Sequence, residues 1–353
     1  MVRRAIMGFL ILAIVVGCAK GRSVPGVTKM VTFDKSDDLS FEFGTTAHCT
    51  DGIEENTCTE PGETPITFPT VNIKLAAFAI DEHEVTNLQY VHCVAHGACT
   101  EPKYGNTGKY DDLTGGITKY YDENGNDYDN HPVVNVTHTQ AAQFCKFVGK
   151  RLPTEFEWEL AAKSERDLDN KNEETSTNTK TIYPWNSKLV GECENNKEIA
   201  IGRCNKDYDL PQAVKSMNAD VIYNGETHIY DMAGNVLEWV ASRWDEEITC
   251  QSMNDGNIET EHEECLKSFS ACLGNCAITA ACTGYDPLET FDAANYVYAK
   301  GGDFSYRGAS YLTDNLCKAR TTFRTKPAFE ISQGKSRVDL GFRCACTDGE
   351  CPN

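Results

Sequence analysis

The sequence predicts a loop-rich, disulfide-stapled α+β domain. Its 353 residues include 17 cysteines, and long stretches of regular hydrophobic periodicity are few. The segments that can be assigned are short, because capping boxes and glycines bound the helices and turn residues separate brief apolar strands.

The N-terminus carries the pattern of a bacterial lipoprotein signal. Arg3 and Arg4 precede the apolar residues 5–17, which are too few for a membrane span and end in a glycine just before Cys18. Such signals are cleaved so that the cysteine becomes a lipid-modified N-terminus. A secretory leader with an incidental cysteine is the alternative. Since Lys20 rather than Asp follows at the second position, we expect an outer-membrane anchor, with the domain facing the periplasm or the cell surface.

Beyond the signal peptide, residues 1–17, we predict a tether over 18–30 and one domain over 31–353. No repeat with a period of 20 to 50 residues is visible. The formal charge of −20 becomes −22 without the two leader arginines. That charge opposes binding to phosphate backbones, so no nucleic-acid partner is expected.

Removing Cys18 leaves 16 cysteines, an even number in a chain that leaves the cytoplasm. Disulfides are therefore expected, although only the parity is fixed. A structural zinc site is disfavoured, because no second pair stands at zinc-finger spacing from Cys272 and Cys276. Short spacings suggest four local pairs: Cys49 with Cys58, Cys93 with Cys99, Cys193 with Cys204, and Cys346 with Cys351.

Three helices and two strands can be assigned with some precision. The helices begin after Thr86, at about Thr139 and at Thr154, and the first two end near Gly97 and Val148. Capping boxes are predicted for Thr86 with Gln89 and for Thr154 with Glu157. Strands are predicted over residues 71–78 and 296–300.

Two polar patterns are given structural roles. Arg151 and the glutamates that follow it predict an ion pair that braces a loop, rather than acid–base catalysis. His92 and His96 stand four apart on a helix, as zinc ligands can. Because no Glu lies between them, a surface pair is favoured over a zinc site.

Seven motifs follow one another along the chain. They are Ile80–Asn87, His131–Val134, Arg151–Glu159, Tyr183–Trp185, Tyr230–Trp239, Gly301–Gly302 and Gly341–Cys344. In this order they resemble the formylglycine-generating enzyme, or sulfatase-modifying-factor, family over roughly three quarters of the chain. The resemblance implies a compact mixed fold related to C-type lectins and poor in regular secondary structure.

The resemblance also implies a disulfide between Cys145 and Cys344. Closing a loop of about 200 residues, it would contribute on the order of 4 to 5 kcal/mol. Cys317 matches a second bridging position of the family, but its partner position holds Ala162. We therefore expect Cys317 to be free or paired within the insertion at about 245–295.

Asp231 and Glu238 bracket Gly234, and from spacing alone a cap and a surface salt bridge are favoured. The resemblance implies instead a calcium site. Its ligands would be the side chains of Asp231 and Glu238 and the backbone carbonyls of Gly234 and Val236. Calcium is thus the expected cofactor.

The family's oxidase holds copper(I) with two cysteines and converts a substrate cysteine to formylglycine. Counted from Gly301–Gly302, those two positions fall on Tyr306 and Tyr311. Tyrosine cannot replace a thiolate for Cu(I), so we expect no copper and no catalytic residue there. A rescue would require ligands from the cysteine-rich insertion, residues 245–295.

Two functions therefore stand at this point. The first is a lipid-anchored, non-oxidase family member that binds a protein, peptide or glycan through its lectin-like groove. The alternative is an enzyme, either an oxidase with relocated copper ligands or a catalyst of other chemistry in the same groove. The insertion either roofs that groove or is a surface loop, and the tyrosines favour the binding function.

Overall fold

The computed structural model describes the parts of the chain that form the body of the domain. These are residues 28–33, 39–43, 71–102, 120, 127–163, 209–224, 227–244, 303–313, 316–323, 336–347, 349 and 351. Several predictions lie outside the described residues: the signal peptide and Cys18, the insertion at 245–295, the strand at 296–300, the motif Tyr183–Trp185, and the pairs Cys49–Cys58 and Cys193–Cys204.

Three α-helices are described, each directly preceded by a threonine, and Leu316–Ala319 forms a 3-10 helix. The α-helices are α1 (Asn87–Ala95), α2 (His138–Phe147) and α3 (Glu155–Lys163). In α1 the Thr86 side chain accepts from the Gln89 amide, and the Gln89 side chain accepts from the Thr86 amide. Thr154 and Glu157 make the same exchange at α3. Both predicted capping boxes are confirmed.

Helix α2 begins slightly earlier than predicted. Its N-cap is Thr137, which forms a capping box with Gln140, whereas the sequence analysis started the helix at about Thr139. Two threonines within three residues offer competing caps, and the glutamine three positions after Thr137 decides between them.

The strands form four small sheets. In the first, β4 (Phe78–Asp81) lies between β1 (Met30–Phe33) and β10 (Ala345–Thr347), antiparallel to both. In the second, β2 (Leu39–Phe43) pairs with β3 (Val71–Leu75), and in the third, β5 (Val221–Asn224) pairs with β6 (Thr227–Tyr230). In the fourth, β7 (Leu237–Trp244) lies between antiparallel β8 (Asp303–Arg307) and parallel β9 (Leu340–Gly341).

The predicted single strand over 71–78 is wrong in extent. The strand is interrupted between Leu75 and Phe78. Strand β3 pairs with β2, whereas β4 lies in a different sheet between β1 and β10. The apolar pattern runs through the break, since Phe78 and Ile80 are buried in the core on the far side of it.

Two large apolar clusters form most of the core of the described residues, and a smaller one contains Tyr120, Val134 and Val236. One of the large clusters contains residues from α1, α2 and β7 together with the C-terminal motif, including Tyr90, Phe144 and Phe342. The other lies around Trp158 and the sheet of β1, β4 and β10. The structure joins Cys145 to Cys344 inside the first cluster, across a separation of 199 residues. Local disulfides join Cys93 to Cys99 and Cys346 to Cys351.

The Gly341–Cys344 motif runs through the most crowded part of this core. A Cβ atom at Gly341 would lie 2.7 Å from the carbonyl oxygen of Val133, so only glycine fits there. Backbone hydrogen bonds hold the next residues of the motif. The Val85 amide donates to the Phe342 carbonyl, and the Asp81 amide donates to the Cys344 carbonyl. The motif is therefore a central, immobilised segment despite its lack of a long strand.

Arg151 makes the ion pair that the sequence predicts. Its guanidinium donates to both carboxylate oxygens of Glu157 at 2.7 and 2.6 Å. The same carboxylate accepts from the Thr154 amide, so the loop before α3 and the first turn of the helix are held together.

Candidate functional site

The loop between β6 and β7 has an unusual backbone. Asp231 and Asn235 have φ values of 59° and 64°, in the left-handed region that Asp and Asn tolerate better than most residues. Asn235 fixes the loop: its Oδ1 accepts from the Gln212 amide at 2.7 Å, and its Nδ2 donates to Glu84 Oε1 at 3.1 Å. Tyr311 donates its amide to the Asn235 carbonyl at 3.0 Å.

A fully buried guanidinium lies beneath this loop. Arg343 donates to both carboxylate oxygens of Glu238, at 2.7 to 3.0 Å, and to the carbonyls of Asp81 and Tyr230 at 3.2 and 2.8 Å. The Trp158 indole also donates to Glu238 Oε2 at 2.8 Å. Both oxygens of Glu238 are therefore occupied by protein donors.

The two side-chain ligands of the expected calcium site, Asp231 and Glu238, differ in how well they fit the ion. Asp231 fits: its Oδ2 accepts from the Lys215 amide at 2.8 Å, while its Oδ1 is buried with no hydrogen-bond partner among the described residues. Glu238 is the poor fit, since a ligand oxygen would have to leave Arg343. No three or more His, Cys, Asp or Glu side chains of the described segments form a group that could hold a metal ion.

The surroundings of Asp231 are nevertheless rich in buried acid. Burial, and then the neighbouring carboxylate of Asp220, raises the pKa of Asp231 to about 7. Burial likewise raises the pKa of Asp220 to about 6. Glu84 also has a raised pKa, from burial and then from Asp231, and its Oε2 has no hydrogen-bond partner in the described part of the chain. A cation beside Asp231 would offset this charge.

The two tyrosines that the sequence analysis counts onto the family's copper positions, Tyr306 and Tyr311, have buried rings. Tyr306 lies on β8 opposite Trp239 of β7, with ring centroids 6.2 Å apart and planes nearly perpendicular. The Arg337 guanidinium lies 5.8 Å from the Tyr306 ring centroid. Tyr306 and Tyr311 are only 6% and 3% exposed. Burial raises the pKa of Tyr306, so its phenol stays protonated at neutral pH.

A polar network fixes the same segment. Arg337 donates from Nε and Nη2 to the two carboxylate oxygens of Asp339, each at 2.8 Å, and the Ser310 hydroxyl donates to Asp339 at 2.8 Å. Leu237 donates its amide to the Asp339 carbonyl at 2.8 Å, which ties the network to the first residue of β7. Tyr306 and Tyr311 therefore lie beside a segment that these hydrogen bonds and the Arg337–Asp339 ion pair hold in place.

Sequence reasoning missed several residues of this region. Glu84 and Asn235 lie inside quoted motifs, yet no pattern indicated that they contact each other across 151 positions. Arg337 and Asp339 lie outside every motif. The sequence Gly234–Asn235 is typical of a turn, but such pairs are common, so the sequence alone did not single out the left-handed backbone at Asn235.

The family is shown by comparison with known proteins. The model of the sulfatase-modifying factor enzyme 1-like domain matches residues 39–347, and the chain belongs to this family. The fold is accordingly the loop-rich fold expected from the motifs. No helix in the described segments is long and apolar enough to cross a membrane.

Individual relatives share modest identity with the chain. The formylglycine-generating enzyme of Mus musculus is 26% identical over 219 residues, covering 61% of this chain and 44% of that protein. The inactive C-alpha-formylglycine-generating enzyme 2 of Bos taurus is 34% identical over 113 residues, covering 32% and 33%. The chain thus spans less than half the length of these curated relatives.

Solved structures also resemble the chain. PvdO from Pseudomonas aeruginosa has a TM-score of 0.49 at 17% identity and covers 90% of this chain and 94% of its own. Treponema denticola variable protein 1 has a TM-score of 0.49 at 18% identity, covering 92% and 98%.

The buried pair of Arg343 and Glu238 predicts a large stability difference between two salt bridges. Arg343→Leu leaves the Glu238 carboxylate buried without its cation, so we expect the free energy of unfolding to fall by about 3 to 5 kcal/mol. The matched control is Lys215→Gln, which breaks the more exposed Lys215–Glu82 pair and should cost less than about 1 kcal/mol. Urea unfolding measures both.

A double variant separates charge from packing. Adding Glu238→Gln to Arg343→Leu removes the unpaired charge, so it should recover part of the lost stability. Equal losses for Arg343→Leu and Lys215→Gln would contradict the central role given to Arg343.

Proposed function

We propose that this protein is a non-oxidase member of its family, held in the cell envelope by a lipid on Cys18, whose domain binds a protein, peptide or glycan. The observation that carries the proposal is the pair of buried tyrosines, Tyr306 and Tyr311, at the two aligned copper positions. The formal charge of −20 further disfavours a nucleic-acid partner.

The chemistry of copper(I) supports the assignment of this protein as a non-oxidase. Cu(I) is a soft cation that proteins hold with cysteine thiolates or methionine thioethers. A phenol that stays protonated and packs between Trp239 and Arg337 offers neither a soft donor nor room for the ion. Membership in the family does not decide the activity, because the relatives include proteins named as generating enzymes and proteins named as inactive.

The surface beside the tyrosines supports the binding part of the proposal. Leu312 follows Tyr311 and is 38% exposed, and its amide donates to the Ser310 hydroxyl at 3.2 Å. The Arg337 side chain is 36% exposed and is held by Asp339. Leu312 in the loop after β8 and Arg337 just before β9 are held by Asp339, the first through Ser310 and the second directly, so they can contact a partner with little loss of conformational entropy.

The oxidase assay tests the proposal most directly. The purified mature protein, with its disulfides formed, is given Cu(I), oxygen and a cysteine peptide of the sulfatase type, and peptide mass is followed over time. We expect no conversion of thiol to aldehyde, beside an active relative as positive control. Conversion by the protein would overturn the non-oxidase assignment and direct attention to the cysteines of residues 245–295.

Calcium belongs to the same proposal, with Asp231 as the side-chain ligand that the geometry favours. We expect the melting temperature to fall by a few degrees in EDTA and to recover with millimolar calcium. Asp231→Asn keeps a residue that tolerates positive φ but removes the charge. Its melting temperature in EDTA should equal or exceed that of the unaltered protein, and its response to calcium should be lost.

The matched control for calcium is Asp209→Asn, at an exposed acid, which should respond as the unaltered protein does. An unaltered protein that melts at one temperature in EDTA and in calcium would contradict the calcium proposal. A purely structural role for Asp231 would instead lower the melting temperature of its variant under both conditions.

Lipid anchoring at Cys18 is tested by expressing the full chain in a Gram-negative host. We expect labelled palmitate in the protein and recovery in the outer-membrane fraction, both lost in Cys18→Ser. Cys18→Ser protein that still carries palmitate would refute the anchor.

A further inference from the structure

His92 lies in the last turn of α1, and His96 is the residue that caps the C-terminus of that helix, away from the site described above. His92 and His96 are four residues apart, and their rings lie with centroids 4.2 Å apart and planes 16° from parallel. Nδ1 of His96 lies 2.8 Å from the carbonyl oxygen of His92. When Nδ1 carries the proton and donates to that carbonyl, Nε2 of His96 keeps its lone pair for another ligand.

The frame that carries these rings is well fixed. A capping box begins α1, and the Cys93–Cys99 disulfide joins the last turn of the helix to the residues that follow it. The Phe147 ring lies 6.1 Å from the His92 ring and 5.7 Å from the His96 ring, so one side of the pair is backed by apolar surface. The other side is open, because His96 is exposed.

We propose that His92 and His96 form a two-histidine chelate for a divalent transition cation of the zinc, nickel or copper(II) class, with water in the remaining positions. Histidine nitrogens bind zinc at about 2.0 to 2.1 Å, which places two such nitrogens about 3.3 Å apart in a tetrahedral site. In the structure the two rings are stacked, with centroids 4.2 Å apart and planes 16° from parallel, so binding one ion requires both rings to rotate until their free nitrogens face it.

The chemistry of the pair selects this class of ion. Imidazole nitrogens suit zinc, nickel and copper, whereas calcium takes oxygen ligands, so the chelate is distinct from the expected calcium loop. Residues four apart lie on the same side of a helix, so the helical backbone brings the His92 and His96 side chains together.

Zinc titration of the mature protein, with disulfides formed and no polyhistidine tag, tests the proposal. We expect one Zn²⁺ per protein by calorimetry, with an affinity that falls at least about tenfold in His92→Gln and in His96→Gln. The matched control is His228→Gln, at a partly exposed histidine of β6, which should bind as the unaltered protein does. Gln maintains helix propensity, so α1 should persist in both variants.

A second readout excludes binding to unfolded chain. Zn²⁺ should raise the melting temperature of the unaltered protein and of His228→Gln, but not that of His92→Gln or His96→Gln. Absence of binding, or equal affinity in all four proteins, would overturn the proposal and leave a stacked surface pair. Loss in only one of the two histidine variants would also overturn it, because a chelate requires both rings.

Discussion

The buried guanidinium of Arg343 is the contact on which the rest of the domain depends. It joins Glu238 to the carbonyls of Asp81 and Tyr230, partners that lie 105, 262 and 113 positions away in the chain. Its neighbour Cys344 adds the disulfide to Cys145. A protein with short strands cannot rely on long hydrogen-bond ladders, so one fivefold donor does much of the joining that a broad sheet does elsewhere. The cost is that each partner is buried, which is why loss of this single cation exposes the fold to an uncompensated charge.

Because regular secondary structure is short in this domain, side chains also hold the loops around the site. Side chains replace ladder bonds: Asn235 satisfies Gln212 at the turn before β7, and Asp220 accepts from the Ala233 amide at 3.0 Å. The carboxylates of Asp220 and Asp231 accept from backbone amides in the interior. Burial raises the pKa of both groups, and the neighbouring Asp220 raises that of Asp231 further. A site of this kind gains from any cation that can reach it. The acid is thus explained first by local backbone bonding, and its use for calcium is a further step that the melting experiments address.

How far the sequence predicts this structure depends on the range of the interactions. Helices α1 and α3 were predicted because a capping box is complete within four residues. The division of residues 71–78 was not, because it depends on pairing with β2 and β10, which lie elsewhere in the chain. Spacing left the partner of Cys145 open, and only the order of motifs indicated Cys344. The contact of Glu84 with Asn235 was missed for the same reason as the strand break, since neither residue type nor local spacing marks a contact across 151 positions.

The tyrosines at the aligned copper positions are part of a packed arrangement rather than two isolated exchanges. Tyr306 contacts Trp239 across the β7–β8 pair and lies under Arg337, which is itself fixed by Asp339. Replacing both tyrosines with cysteine would supply thiolates but would also remove two buried rings and leave cavities, at a cost of several kcal/mol on the scale of large-to-small core substitutions. Copper chemistry would therefore require changes in the supporting side chains as well as in the two ligands. The packing that holds the two tyrosines also fixes the loop carrying Leu312, and the binding function proposed above would use such a fixed surface loop.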